Sequence, residues 1–103
     1  MNYEEYETIT PEKHEKFLND PINVDIKSVP GIGDDSSANQ FKRIGIRKPD
    51  QLIGKFLMLN HNCEEFGRFL DELGIIKYRD TIIRAIAEKT SMIFDVDSQP
   101  IRK

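Results

Sequence analysis

Ser28-Val29-Pro30-Gly31-Ile32-Gly33, followed by Asp34, Asp35, Ser36, Ser37 and Ala38, is the stretch on which the reading of this chain turns. Two glycines flank one aliphatic residue, with a short apolar segment before them and a helix-like segment after, the pattern of a helix-hairpin-helix turn. Glycine takes positive φ and has no Cβ, so the backbone can turn sharply and come close to another surface. The helix that follows starts with unpaired backbone N–H groups and the positive end of its dipole, an anion site that suits a nucleic-acid phosphate. A hairpin of this kind holds DNA by its backbone without reading bases. Gly-Ile-Gly alone fits equally well a tight interhelical turn whose glycines are purely steric, so the surrounding chain has to decide.

With 103 residues, 38% hydrophobic and 32% charged, the chain has material for one modest core, and it contains no apolar run long enough to span a membrane. Its start, Met1-Asn2-Tyr3-Glu4-Glu5-Tyr6-Glu7, is acidic where a secretory signal is basic and then apolar, which points to an intracellular protein. The single cysteine, Cys63, excludes an internal disulfide and a cysteine-rich zinc site. A formal net charge of −3 runs against the basic excess usual in nucleic-acid domains, but Glu4, Glu5, Glu7 and Glu12 carry four of the negative charges. Without them the remainder is about +1, so DNA affinity has to come from a few placed contacts.

Residues 1–9 lack helical periodicity and read as an acidic flexible tail. Thr10-Pro11-Glu12 then writes a helix start: an N-cap threonine, a proline preset for the first turn and an early acid. His14, Phe17 and Leu18 share one face of this helix, which Asp20-Pro21 ends. Ile22, Val24, Ile26 and Val29 are expected in the core along an extended connector; their alternation also fits a strand, but no partner strand is written elsewhere. Beyond the hairpin, Ala38, Phe41 and Ile44 form a stripe closed by Gly45-Ile46 in the manner of a Schellman cap. A helix from Pro49-Asp50 carries Leu52, Ile53, Phe56, Leu57 and Leu59 plus Met58, more apolar surface than one core face can use. Gly54 inside it predicts that another backbone packs closely there. Asn60-His61-Asn62 breaks this helix, and Asn62 with Glu65 starts the next in the pattern of a capping box. Phe66, Phe69, Leu70 and Leu73 make its stripe, and Gly74-Ile75 repeats the glycine-then-apolar cap. A last helix over about 77–94 is expected to bury Ile82, Ile83, Ile86, Ile93 and Phe94, and residues 95–103 read as a second flexible tail. The fold predicted over 10–94 is an all-α, SAM-like compact bundle of five or six helices.

In the order of these elements the chain resembles the barrier-to-autointegration factor family, small dimeric proteins that bind and bridge DNA in animal nuclei. The resemblance is carried by Lys13-His14 with Phe17, by Gly31-Ile32-Gly33, by Gly54 with Phe56, Leu57 and Leu59, by Phe66, Phe69 and Leu70, and by Arg79-Asp80. It implies a non-catalytic homodimer that binds double-stranded DNA without sequence preference and holds two duplexes on opposite faces. Carried over residue by residue, its DNA contacts fall on Gly31, Ile32, Gly33, Ser36 and Ser37 in the hairpin, on Lys13 in the first helix and on Lys77 at the start of the last. Its inter-subunit groove, which takes LEM-domain proteins of the inner nuclear membrane, corresponds here to Ile53, Gly54, Met58 and Asn60. The family is phosphorylated just before the first helix, where Thr8 and Thr10 stand; Thr10 has a competing role as a plain N-cap. The implied location is nucleus and cytoplasm, in a host cell or virion if the source is viral, with no membrane insertion of the chain itself.

Three features depart from the family pattern and mark a divergent member, of protist or viral kind. Asp34 and Asp35 put two carboxylates beside the phosphate site, which weakens DNA binding unless one turns away to cap the helix. The acidic start has no counterpart, and its Glu4, Glu5 and Glu7 are expected to compete with DNA for Lys13 and its neighbours. Asn60 stands where the family has a lysine, and Cys63 is the only cysteine of the chain, whereas animal members have several. The competing function is a dimeric protein-interaction module that has lost DNA binding. An enzyme is not indicated: Cys63 has neither His14 nor His61 placed to serve it, a helix-hairpin-helix repair enzyme needs a catalytic lysine or aspartate in a cleft, and the two histidines lack metal-ligand spacing. No metal and no cofactor is expected.

Overall fold

A computed structural model describes residues 10–94, and both expected tails lie outside them. Five α-helices occupy the described residues: α1 (Pro11–Asn19), α2 (Asp35–Arg43), α3 (Pro49–Met58), α4 (Cys63–Glu72) and α5 (Arg79–Ile93), with a short 3-10 turn at Ile26–Ser28. No strand occurs among them. The stretch from Ile22 to Ile26 is tied instead to the α2–α3 link by two backbone bonds, Ile26 N–H to Arg47 O at 2.9 Å and Asp50 N–H to Ile22 O at 2.9 Å.

The helix ends follow local chemistry. Thr10 accepts from the Lys13 N–H with proline in the first turn, and the Asn62 side chain accepts from the Glu65 N–H at 3.0 Å. The Glu65 carboxylate pairs with Arg68 at 2.8 Å, so the expected capping box keeps its asparagine half. Gly45 and Gly74 take positive φ, and the residue after each donates back into the helix, Ile46 to Phe41 O and Ile75 to Leu70 O, which are Schellman caps. Asn60 and His61 break α3 by both taking left-handed φ, 62° and 59°.

Helix α5 is the centre of the bundle, because α1, α3 and α4 all pack against it. Its Ile82, Ala85 and Ile86 are fully buried with Phe17, Phe41, Leu52, Phe66 and Leu70. Burying each large side chain of that set contributes about 1.5–3 kcal/mol, so the core is concentrated on one helix. Three expected core residues lie outside it. Ile44 sits at the C-cap of α2, past the end of its buried stripe; Ile93 closes α5 beyond its last packed turn; and Val24 is in the connector between the two tethering bonds. All three are exposed.

The core also contains a charge. Lys89 is only 6% exposed, and its ammonium donates to the carbonyl oxygens of Phe17 (3.0 Å), Leu18 (2.7 Å) and Asp20 (2.7 Å). All three of its protons are thus used on the C-terminal end of α1, where carbonyls lack helical partners and the dipole is negative. Burial pulls its pKa below the ordinary lysine value, against the opposing pull of Asp20.

Candidate nucleic-acid interface

The hairpin is a β-turn seated on the first turn of α5. The Ile32 N–H donates to Val29 O at 2.9 Å, Pro30 occupies the second position and Gly31 the third with φ +97°, the signature of a type II turn. A Cβ built on Gly31 would lie 2.7 Å from Ile82 Cγ1 and 3.2 Å from Tyr78 O. Gly31 is therefore required twice, by its backbone conformation and by the closeness of α5. Val29, Pro30, Gly31 and Ile32 are buried, while Gly33 is exposed.

Both acids after the hairpin are engaged. Asp34 is the N-cap of α2 and accepts from the Ser37 N–H at 3.0 Å. Asp35 accepts from Lys27 Nζ at 2.7 Å. That hydrogen bond, with the attached charge attraction, holds the Asp35 carboxyl below its ordinary range and the Lys27 ammonium above its own. Two residues expected to offer amides to phosphate are accordingly spent within the chain, Ile32 on the turn and Ser37 on the cap. The N–H groups of Gly33, Asp35 and Ser36 have no partner among the described residues, and they open at the positive end of α2.

The expected cations stand on the neighbouring elements. Lys13 Nζ on α1 lies 3.5 Å from Lys27 O in the 3-10 turn, and Lys27 in turn reaches Asp35. Lys77 is exposed, with Nζ 5.6 Å from the Tyr78 ring centroid, and Tyr78 is the residue against which Gly31 packs. Lys13, the 3-10 turn and the α2 start are thus linked in one arrangement, with Lys77 next to the residue that backs Gly31. Lys27 was not legible as part of it. Its partner lies across the turn, and the signal on offer was a lysine just ahead of a hairpin that carries two acids.

The residues expected at a dimer or partner groove divide. Ile53 belongs to the core, so the surface there is presented by Gly54, Met58 and Asn60. Met58 is 77% exposed, and nothing lies within 4 Å of a Cβ built on Gly54. The close backbone expected at Gly54 is therefore not supplied by this chain's described residues. Thr10 is the α1 N-cap; Thr8 lies outside the described residues. Cys63 is exposed at the start of α4, and His14 bonds Glu88 at 2.7 Å. Among the described residues no group of three or more His, Cys, Asp or Glu is arranged to hold a metal ion, and no helix is long and apolar enough to cross a membrane.

Compared with known proteins, residues 8–89 match the family model described as barrier to autointegration factor. No curated protein and no solved structure gives a significant match.

Proposed function

The chain belongs to the barrier to autointegration factor family, and from that membership we propose that it is a non-catalytic homodimer that binds and bridges double-stranded DNA without sequence preference. The observation that supports this most is the assembly at the hairpin, where a type II turn is followed by the open amides of Gly33, Asp35 and Ser36, Lys27 stands at the same helix end, and Lys13 reaches the turn that carries Lys27. Backbone amides and a few lysines recognise phosphate oxygens and ignore base identity. Of the acids that argue against binding, Asp34 is spent on capping α2, and Asp35 is paired with Lys27 in the free protein. Each phosphate neutralised releases counterions, so affinity falls with salt by about 0.9 log units per log unit of salt for every such contact.

Dimerisation is assigned to the α3 face. Met58 and the open side of Gly54 leave an apolar surface that a second copy covers, and the groove so formed is where a LEM-type partner docks. Two hairpins in one dimer hold two duplexes.

The test is fluorescence anisotropy of a random-sequence duplex at two salt concentrations, with light scattering of the complex to detect bridging. Gly33→Glu and Lys13→Glu are expected to abolish salt-sensitive binding while circular dichroism and oligomeric state stay as in the wild type, since Gly33 is exposed and Lys13 half-buried. A folded dimer that does not bind DNA would return the chain to the protein-interaction reading.

A further inference from the structure

We propose that Lys27 is a phosphate-binding residue of the hairpin and that Asp35 holds its ammonium in the free protein as an internal stand-in for phosphate. The inference rests on the DNA-binding reading and adds to it a residue and an exchange step: on binding, Lys27 passes from a carboxylate of its own chain to a phosphate oxygen.

The placement of Lys27 is fixed by its backbone. It is the middle residue of the 3-10 turn, its N–H donates to Asp25 Oδ1 at 2.8 Å, and Ile26 beside it is fully buried. Its side chain spans from that turn to Asp35, the first residue of α2, with Nζ 2.7 Å from Oδ1. The ammonium therefore stands at the same helix end whose Asp35 and Ser36 amides are open. A phosphate taken up by those amides arrives where the Asp35 carboxylate now meets Lys27. Lys13 Nζ lies 3.5 Å from the Lys27 carbonyl, so a second lysine reaches the same 3-10 turn.

The strength of the pair suits exchange. The Lys27 side chain is 40% exposed and the Asp35 side chain 84% exposed. An ion pair that open contributes little to stability, so breaking it costs little. A phosphate offers the lysine the same charge-assisted hydrogen bond and adds bonds from the amides, which the carboxylate does not. After exchange Asp35 is left beside bound phosphate, where it binds a cation or repels the DNA. The pair thus lowers affinity and flattens the salt dependence without abolishing either.

Asp35→Asn, Lys27→Gln and the double variant, compared with the wild type and Gly33→Glu in the anisotropy assay, decide the matter. Asp35→Asn is expected to bind more tightly and to steepen the log–log salt slope by about one. Lys27→Gln in the Asp35→Asn background is expected to weaken binding by about tenfold, the worth of one charge-assisted bond, and to reduce the slope by about one. Lys27→Arg retains binding. If the double variant binds like Asp35→Asn, Lys27 does not touch phosphate and the proposal falls, while wild-type binding that Gly33→Glu abolishes leaves the DNA reading standing. If Asp35→Asn binds no more tightly than wild type, Asp35 is a structural clamp and the exchange is overturned. Absence of salt-sensitive binding in the wild type sinks both. Thermal melting of each variant separates loss of contact from loss of fold.

Discussion

Gly31 and Gly54 are the same residue in opposite surroundings. At Gly31 the backbone has positive φ and a methyl group would collide with Ile82; at Gly54 the backbone is helical and a methyl group would meet nothing within 4 Å. The hairpin turn is thus closed against α5, with both of its acids committed inside the chain while the amides of Gly33, Asp35 and Ser36 stay open. The α3 face is open, with a helix-weakening glycine and a 77% exposed Met58 that the described chain gives no use. A glycine needed by the fold and a glycine not needed by it are told apart by what surrounds them. The second kind directs attention to a surface outside the chain.

The sharpest attempt to break this contrast is Gly31→Ala. Left-handed backbone for a non-glycine residue and overpacking against Ile82 each cost energy, and together about 3 kcal/mol of stability is expected to be lost. Urea denaturation measures it, and a loss well under 1 kcal/mol would show that the hairpin yields where it looks crowded.

The closed end also depends on α1, which brings Lys13 to the hairpin, being held on α5. Lys89 does that holding. Lys89→Met keeps the bulk and removes three hydrogen bonds, leaving the carbonyls of Phe17, Leu18 and Asp20 short of a donor, with an expected cost of about 2 kcal/mol. The same urea titration reads it. If the variant were as stable as the wild type, α1 would be held by Phe17 packing alone.

Much of the closed end was written locally. Thr10-Pro11, Gly45-Ile46, Gly74-Ile75 and Asn62 announce helix ends within four residues of themselves, and the structure places a cap at each. The alternative in which one of Asp34 and Asp35 caps α2 was legible for the same reason, and the structure gives that place to Asp34. Lys89 was not, because its partners stand about 70 residues away and a lysine in an amphipathic helix reads as solvated. The Lys27–Asp35 pair is not legible either, across a much shorter distance, since periodicity says nothing about which side chains meet over a turn. Ile44 and Ile93 lie beyond the ends of their packed faces and Val24 in a tethered connector, where hydrophobicity does not imply burial. The α3 face was legible as a surplus of apolar residues, but not in the detail that Ile53 goes inward while Met58 stays out.

Gly54→Ala sharpens the open side of the comparison. Within one chain the substitution removes helix-interior glycine into open space, and about 1 kcal/mol of stabilisation is expected. If a second copy packs there, the added methyl stands in the seam, so sedimentation equilibrium is expected to show weaker association even as the dilute protein melts higher. A higher melting point at every concentration, with association unchanged, would take Gly54 out of the interface.

The smallest effect lies along the seam between α1 and α5. Glu88 is held below its ordinary value of about 4.5 by its hydrogen bond with His14 and then by Arg84, against the opposing effect of burial. A carboxyl whose folded pKa is lower than its unfolded one contributes stability above the unfolded value and loses it as pH falls through the folded value. Thermal melts taken from neutral pH down to about pH 3 are therefore expected to lose a small increment in the interval just below 4.5. His14→Ala should remove most of that increment and cost about 0.5 kcal/mol at neutral pH, since the Glu88 side chain is 44% exposed and solvent screens the pair. An acid limb unchanged in His14→Ala would assign it to other carboxylates, with Asp35 the first to examine because Lys27 depresses it in the same sense. Asp35→Asn then separates the two, and whichever variant flattens the limb identifies whether the hairpin or the α1–α5 seam yields first to acid.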